Sequence, residues 1–188
     1  MKPKIAICVG HSRTINDHRD GGAVNWSGHT NEWTYNCKLA DLIASNLDEA
    51  GVDNIVVKNY QGDSYSASMD WLADLMDDEG CTHGVELHFN SAGPLAHGHE
   101  VLYWHSSVRG HKLADAIEDH LTDLFSTPSR GGKPLTMSDR GGYGVWRPRQ
   151  VMAIVEPFFG SSKADWEEVA EHPELLAEAI SEGIEDGI

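Results

Sequence analysis

The chain has 188 residues and a formal net charge of −16 at pH 7, from 30 acidic and 14 basic residues. This length suits one domain with a sizeable core, and a negative field of this size excludes nucleic acids as partners. No apolar stretch approaches the ~20 residues of a membrane-spanning helix. Three cysteines without CxxC spacing exclude a disulfide framework. We expect a single soluble domain over residues 1–188, monomeric and without a membrane partner.

The first predicted strand leads directly into a histidine. Residues 4–9 are mostly apolar and are closed by Gly10, which is the pattern of a strand buried in a parallel sheet. The polar, glycine-rich stretch 12–30 is then predicted to be a loop. His11 lies between this strand and this loop, at the carboxyl end of the strand, where ligands bind in open α/β sheets.

A helix is predicted to follow this loop. Thr30 or Asn31 suits its N-cap and Gly51 its end. Apolar residues between them recur at spacings of three and four, which indicates one buried stripe: Trp33, Cys37, Ala40, Ala44 and Leu47. Glu32 lies in the first turn, where an acid also complements the helix dipole.

A polar row lies on the next central strand. Residues 85–90 are predicted to form a buried strand that begins after Gly84, and alternation places Glu86, His88 and Asn90 on one face. Such a row is costly inside a protein unless its groups are paired or bind a metal. We therefore expect His88 to be a metal ligand and Asn90 to orient substrate or water.

The remaining patterns complete an α/β arrangement. They predict strands at 55–57, 99–104 and 151–155 and helices at 67–79, 107–125 and 173–184. Alternation of strands and helices predicts a twisted, mostly parallel sheet of about six strands, flanked by helices on both faces.

A basic, loop-rich stretch precedes the last strand. Residues 126–150 carry five basic residues against the single acid Asp139, in an otherwise acidic chain. Such a loop is a candidate site for substrate carboxylates, with Arg140 and Arg147 as the binding residues. A solvated loop without a ligand is an equally good interpretation.

Four residues are predicted to meet at one rim of the sheet. His11, His88 and Glu156 follow or end strands, and Glu32 opens the first helix. Two imidazoles, one carboxylate and an open fourth position make a catalytic zinc site. Zinc lowers the pKa of its water to about 7, and a second carboxylate, Glu156, then acts as the proton shuttle.

Four segments resemble, in the same order, the zinc-dependent N-acetylmuramoyl-L-alanine amidases of the Amidase_3 type: residues 7–11, 30–32, 87–92 and 154–159. The resemblance implies that His11, Glu32 and His88 bind Zn²⁺ and that Glu156 is the general acid/base. It also implies the reaction, which is hydrolysis of the amide between the lactyl group of N-acetylmuramic acid and L-alanine in peptidoglycan.

The resemblance also implies a setting. No separate cell-wall-binding domain fits in the chain, and the apolar run 5–9 is too short for a signal peptide. We therefore expect the catalytic domain of a phage endolysin, made in the cytoplasm and acting on the cell wall after release by another route.

Two alternatives remain open at this stage. His29, Glu32 and His88 form an HxxE…H pattern, which is the ligand pattern of zinc carboxypeptidases and leaves His11 unused. The other alternative is a non-catalytic protein that binds the cell wall through the same fold.

Overall fold

The computed structural model describes residues 2–15, 18–93 and 95–188, so residues 16 and 17 of the predicted loop lie outside the described part. Its elements in chain order are β1 (Lys4–Val9), β2 (Thr14–Ile15), β3 (His18–Arg19), α1 (Glu32–Glu49), β4 (Asp53–Val57), α2 (Tyr65–Asp78), β5 (His83–Leu87), β6 (His99–Trp104), α3 (Val108–Leu124), β7 (Ser129–Leu135), α4 (Gly142–Trp146), β8 (Val151–Glu156), α5 (Lys163–Asp165), a π-helical turn (Trp166–Ala170) and α6 (Pro173–Gly187).

Six strands form one mixed sheet in the order β4-β1-β5-β8-β6-β7. The first four of these run parallel to one another, β6 is antiparallel to β8, and β7 is parallel to β6. The predicted α/β class with a mostly parallel sheet is therefore confirmed. Because β1, β5 and β8 are neighbours with the same direction, the residues that follow them emerge on the same rim.

Both faces of the sheet are covered. Ile5, Ile7 and Val9 of β1 pack into the larger core cluster with α1, α3 and α6. Ala6 and Cys8 of the same strand point to the other face and pack with α2 and α4. Since side chains of a strand alternate between faces, a strand buried on both sides reads as a continuous apolar run, as β1 does.

The stretch 126–150 differs from its prediction as a loop. It contains edge strand β7, in which only Leu135 is buried, and the short helix α4. An edge strand with one buried side chain lacks the apolar alternation that identifies a strand in a sequence. Its two glycines and one proline are also turn formers, which favoured the wrong interpretation.

The first helix begins as predicted, and its buried stripe agrees with the prediction only in part, at Ala40 and Leu47. Asn31 is the N-cap, and its side chain accepts a hydrogen bond from the backbone N–H of Thr34 at 2.9 Å. Glu32 and Asn36 are buried, whereas Trp33 and Cys37 are only partly so. The helix is thus rotated to bring polar residues inward, and Asn36 donates to the carbonyl of Leu87 at 3.2 Å. Within the described residues, no helix is both long and apolar enough to cross a bilayer.

Candidate metal centre and active site

A cavity of about 690 Å³ opens at the rim where β1, β5 and β8 end. Its lining is rich in ionisable side chains, among them His11, Asp20, Glu32, Glu86, His88, Glu100, Asp139, Arg140 and Glu156. His11, His88 and Glu156, predicted to lie at one rim, all line this cavity together with Glu32.

His11 is held in an unusual backbone conformation directly after β1. Its φ of 56° lies in the left-handed region, which non-glycine residues rarely occupy and which concentrates at functional sites. Its ring contacts two carboxylates, with Nδ1 3.1 Å from Asp20 Oδ1 and Nε2 3.4 Å from Glu32 Oε2. The ring is therefore oriented from both sides.

Glu32 is buried and its carboxylate is fixed by the backbone. Oε2 accepts a hydrogen bond from the N–H of Ala23, and Oε1 accepts one from the N–H of Phe89, both at 3.0 Å. Oε1 also lies 2.8 Å from His88 Nδ1. Burial by itself raises the pKa of Glu32, but the hydrogen bond and charge of His88, with the charge of His11, outweigh it and lower the pKa.

His88 follows β5 and packs against the backbone of Gly10. A Cβ at position 10 would overlap the imidazole ring, so glycine allows the ring to lie against the main chain in this position. The second nitrogen of the ring, Nε2, lies 3.7 Å from Glu86 Oε2. Burial lowers the pKa of His88, but the hydrogen bonds and charges of Glu32 and Glu86 prevail and raise it to about 10.

The donor set fits a metal ion. One ligand atom from each of His11, Glu32 and His88 lies within 4.8 Å of the other two. The 3.4 Å between His11 Nε2 and Glu32 Oε2 is the spacing of two ligands around a tetrahedral ion with bonds of roughly 2.0–2.2 Å. In the described part of the chain, no Lys or Arg pairs with Glu32 or Glu86. A cation bound here would compensate these buried carboxylates.

The alternative ligand set is not assembled. Among the described residues, the clustered ligand atoms belong to His11, Glu32 and His88 and do not include His29. The backbone N–H of His29 is instead tied to Asn25 Oδ1 at 3.0 Å, within the turn that precedes α1. The structure therefore does not bring His29, Glu32 and His88 together as one ligand group among the described residues.

Glu156, the last residue of β8, lines the cavity beside this cluster. Burial is the main cause that raises its pKa to about 7; the charges of Glu100 and Glu32 raise it further, while His88 and Arg140 act in the opposite direction. A carboxylate with a pKa near 7 accepts and returns protons at neutral pH. The chemistry available at Glu156 is therefore general acid/base catalysis.

The three predicted substrate-binding residues differ in their positions. Asn90 lines the cavity, but its Nδ2 donates to Glu100 Oε1 at 2.7 Å and its Oδ1 accepts from the N–H of Ser91. Arg140 also lines the cavity. Arg147 does not: its guanidinium donates to Asp70 Oδ1 at 2.6 Å and approaches Asp74, which ties α4 to α2.

Sequence reasoning missed part of the cavity. Asp20 lies in a glycine-rich loop with no pattern that points to it, and Tyr60 follows an edge strand. Glu86 was not missed in this way, because it shares the face of His88, and the polar row already suggests that it supports a ligand or pairs with a basic residue. It is 4% exposed, and its Oε1 accepts a hydrogen bond from the Tyr60 hydroxyl at 2.9 Å.

The fold and this cavity define an α/β protein whose rim can hold a metal ion next to a buried carboxylate with a raised pKa. Residues 5–186 match the family described as N-acetylmuramoyl-L-alanine amidase, Amidase_3. The chain therefore belongs to the Amidase_3 family, whose members are amidases that hydrolyse peptidoglycan. Comparison with curated proteins found no match.

Several solved structures share the fold. The catalytic domain of the CD27L endolysin targeting Clostridia Difficile is 28% identical with a TM-score of 0.80, covering 97% of this chain and 96% of that one. AmiC2 of Nostoc punctiforme, an N-acetylmuramoyl-L-alanine amidase, is 21% identical with a TM-score of 0.79 and coverages of 98% and 96%. The CwlD amidase from Clostridioides difficile, solved with the GerS lipoprotein, is 17% identical with a TM-score of 0.83 and coverages of 99% and 98%.

Proposed function

We propose that this protein is a zinc hydrolase that cleaves the amide between the lactyl group of N-acetylmuramic acid and L-alanine in peptidoglycan. The observation that carries the proposal is the convergence of His11, Glu32 and His88 on one point beside Glu156. Family membership supplies the substrate, and the cavity supplies the groups that this hydrolysis needs.

His11, Glu32 and His88 would hold the metal, for which zinc is the best match to two imidazoles and one carboxylate. The chemistry that zinc supplies at such a site is Lewis acidity, which lowers the pKa of water to about 7. The backbone bonds of Ala23 and Phe89 to Glu32 fix that carboxylate in advance. The chain's own contribution is thus a ligand set that needs little rearrangement.

Glu156 would move the proton. It accepts a proton from the attacking water and delivers it to the amide nitrogen of L-alanine as the carbon–nitrogen bond breaks. The burial that raises its pKa to about 7 suits both halves of this transfer at neutral pH. The products are a glycan strand with a free lactyl carboxylate and a stem peptide with a free amino terminus.

Arg140 would bind a carboxylate of the stem peptide. It lines the cavity, and among the described residues no carboxylate pairs with it. Its loop is anchored, because Asp139 Oδ2 accepts hydrogen bonds from the N–H and the hydroxyl of Thr136. Asn90, bound to Glu100, would help to shape the wall of the cavity rather than bind strongly to substrate.

We further propose that the chain acts as a single catalytic domain on the cell wall, as a monomer and in the manner of a phage endolysin. The family match over residues 5–186 and the similarity to an endolysin catalytic domain support the assignment as a catalytic domain with endolysin-like action.

The test is the bond that is cut. Purified peptidoglycan incubated with the zinc-loaded protein should yield stem peptides with new amino-terminal alanine, measured by amino-group labelling and mass spectrometry. Glu156→Gln should lower the rate by roughly 10²–10⁴-fold without loss of zinc. Zinc-loaded protein that cleaves a glycosidic or peptide bond instead would overturn the proposal. Zinc-loaded protein that releases no alanine would also overturn it and would favour the wall-binding alternative.

A further inference from the structure

Each of the two clustered imidazoles has a carboxylate on both of its nitrogens. His88 Nδ1 lies 2.8 Å from Glu32 Oε1, and its Nε2 lies 3.7 Å from Glu86 Oε2. His11 Nε2 lies 3.4 Å from Glu32 Oε2, and its Nδ1 lies 3.1 Å from Asp20 Oδ1. Glu32 thus lies between the two rings and contacts both. Glu86 lies on the outer side of the His88 ring, and Asp20 lies on the outer side of the His11 ring.

Glu86 lies beside the outer nitrogen of His88. Glu86 lies in β5, and His88 follows this strand two residues further along the chain. Since side chains alternate along an extended chain, both lie on the same face. Glu86 is 4% exposed, and the Tyr60 hydroxyl donates to its Oε1 at 2.9 Å, which leaves Oε2 for the imidazole. In the described residues no cation of Lys or Arg approaches it, so a cation bound by the neighbouring His88 would compensate its charge.

Asp20 occupies the corresponding place beside His11. The N–H of Gly22 donates to Asp20 Oδ1 at 3.3 Å, and Arg13 approaches Oδ2 at 3.8 Å. The loop cannot shift away easily, because Gly22 itself packs against the site. A Cβ there would lie 2.6 Å from Glu32 Oε2 and 2.7 Å from His11 Cδ2.

We propose that Asp20 and Glu86 are positioning residues that select opposite ring nitrogens of the two histidines for the metal. His11 coordinates through Nε2 while its Nδ1–H donates to Asp20, and His88 coordinates through Nδ1 while its Nε2–H donates to Glu86. An outer carboxylate of this kind fixes the tautomer and the ring orientation and makes the imidazole a stronger ligand. The inference rests on the metal site of the proposed function.

The first test measures zinc affinity rather than catalysis. Asp20→Asn and Glu86→Gln keep the size of each side chain but remove its charge, and each should weaken zinc binding by roughly 10–100-fold, measured by competition with a chromogenic chelator at one pH. Asp139→Asn and Glu100→Gln are matched controls, since both carboxylates line the same cavity without contacting His11 or His88. These two should bind zinc as the unmodified protein does. The melting temperature of each zinc-free variant checks that the fold is retained.

The second test reads the ring nitrogens directly. Long-range ¹H–¹⁵N correlation spectra of the zinc-loaded protein should show a metal-bound Nε2 for His11 and a metal-bound Nδ1 for His88. In Glu86→Gln and Asp20→Asn the signal of the outer N–H should change for His88 and His11 respectively, which a role confined to stability would not produce.

The outcomes separate this inference from the proposed function. If both variants bind zinc as tightly as the controls, or if both histidines coordinate through the same kind of nitrogen, the inference is overturned while amide cleavage still supports the function. If zinc binding weakens as expected but no alanine is released from peptidoglycan, the inference stands and the function fails.

Discussion

The two histidines of the site depend on backbone features at a single turn. His11 adopts a left-handed φ of 56°, and Gly10 before it allows the ring of His88 to lie against the main chain. Strained backbone of this type costs roughly 1–3 kcal/mol and persists where the surroundings enforce it. The turn after β1 therefore supplies one ligand and makes room for another.

Gly10→Ala tests this dependence on close packing. The new Cβ would overlap the imidazole of His88, so the ring has to move, at a cost of roughly 1–3 kcal/mol in folding free energy and with weaker zinc binding. Gly93→Ala is the control, because among the described residues other than its chain neighbours no atom lies within 4 Å of its Cβ position, and its φ is not positive. Chemical denaturation and zinc titration measure the two effects. Zinc affinity equal to that of Gly93→Ala would show that the packing is unimportant.

At the scale of elements, the sequence pattern predicts the strands that are buried on both faces of the sheet. It misses edge strands and loop contacts that are not. β1 and β8 are apolar runs, and β5 alternates apolar with polar residues. The rule that ligands lie at strand ends then locates His11, His88 and Glu156. β7 escapes prediction because six of its seven residues are not buried. Asp20 escapes because its place beside His11 arises from how a loop folds back, which no local periodicity records.

A second polar cluster lies between α3 and the strands β6 and β7. Glu118 accepts a hydrogen bond from the Ser129 hydroxyl at 2.7 Å and lies 3.5 Å from His99 Nε2. Its other oxygen, Oε1, is buried without a hydrogen-bond partner in the described residues. Burial is the largest cause that raises its pKa to about 7; Glu100 raises it further, whereas Ser129, the backbone of Val101 and Lys133 oppose the rise.

Glu118 should make stability depend on pH. Its pKa is about 4.3 in an unfolded chain and about 7 in the folded protein, so the folded state binds the proton more tightly. The stability from the protonated form is fully present below pH ~4.3 and is lost as pH rises through 7. Glu118→Gln keeps a neutral side chain at all pH values, so its melting temperature should exceed that of the unmodified protein at pH 8, by roughly 2–4 °C for each kcal/mol.

Melting curves between pH 5 and 8 measure this difference, which should shrink toward pH 5. Glu178→Gln, which changes an exposed carboxylate on α6, should leave the pH dependence as it is. A difference between Glu118→Gln and the unmodified protein that stays constant over this range would contradict the assigned titration.

At the scale of the whole molecule, the charge of −16 opposes the approach to a substrate that is itself often anionic. The repulsion acts over the Debye length, which falls from about 30 Å at 0.01 M salt to about 10 Å at 0.1 M. The surface charge is thus expected to limit encounter with cell walls at low salt.

Cell-wall clearing should therefore speed up as salt is added from low to moderate ionic strength. Loss of turbidity of a cell-wall suspension, recorded over a series of sodium chloride concentrations, measures this. A small soluble muropeptide with little charge is the control substrate, and its cleavage rate should change much less. Clearing rates that fall steadily from the lowest salt concentration would contradict the electrostatic explanation.

The central claim is that His11, Glu32 and His88 bind one zinc ion that amide hydrolysis requires. The most direct measurement is a zinc titration of the metal-free protein, with bound zinc and alanine release from peptidoglycan recorded together for the unmodified chain, His11→Ala and His29→Ala. We expect one zinc per chain and cleavage that rises in step with it for the unmodified protein and for His29→Ala, and neither for His11→Ala. Retention of zinc and cleavage by His11→Ala, or their loss in His29→Ala, would contradict the account.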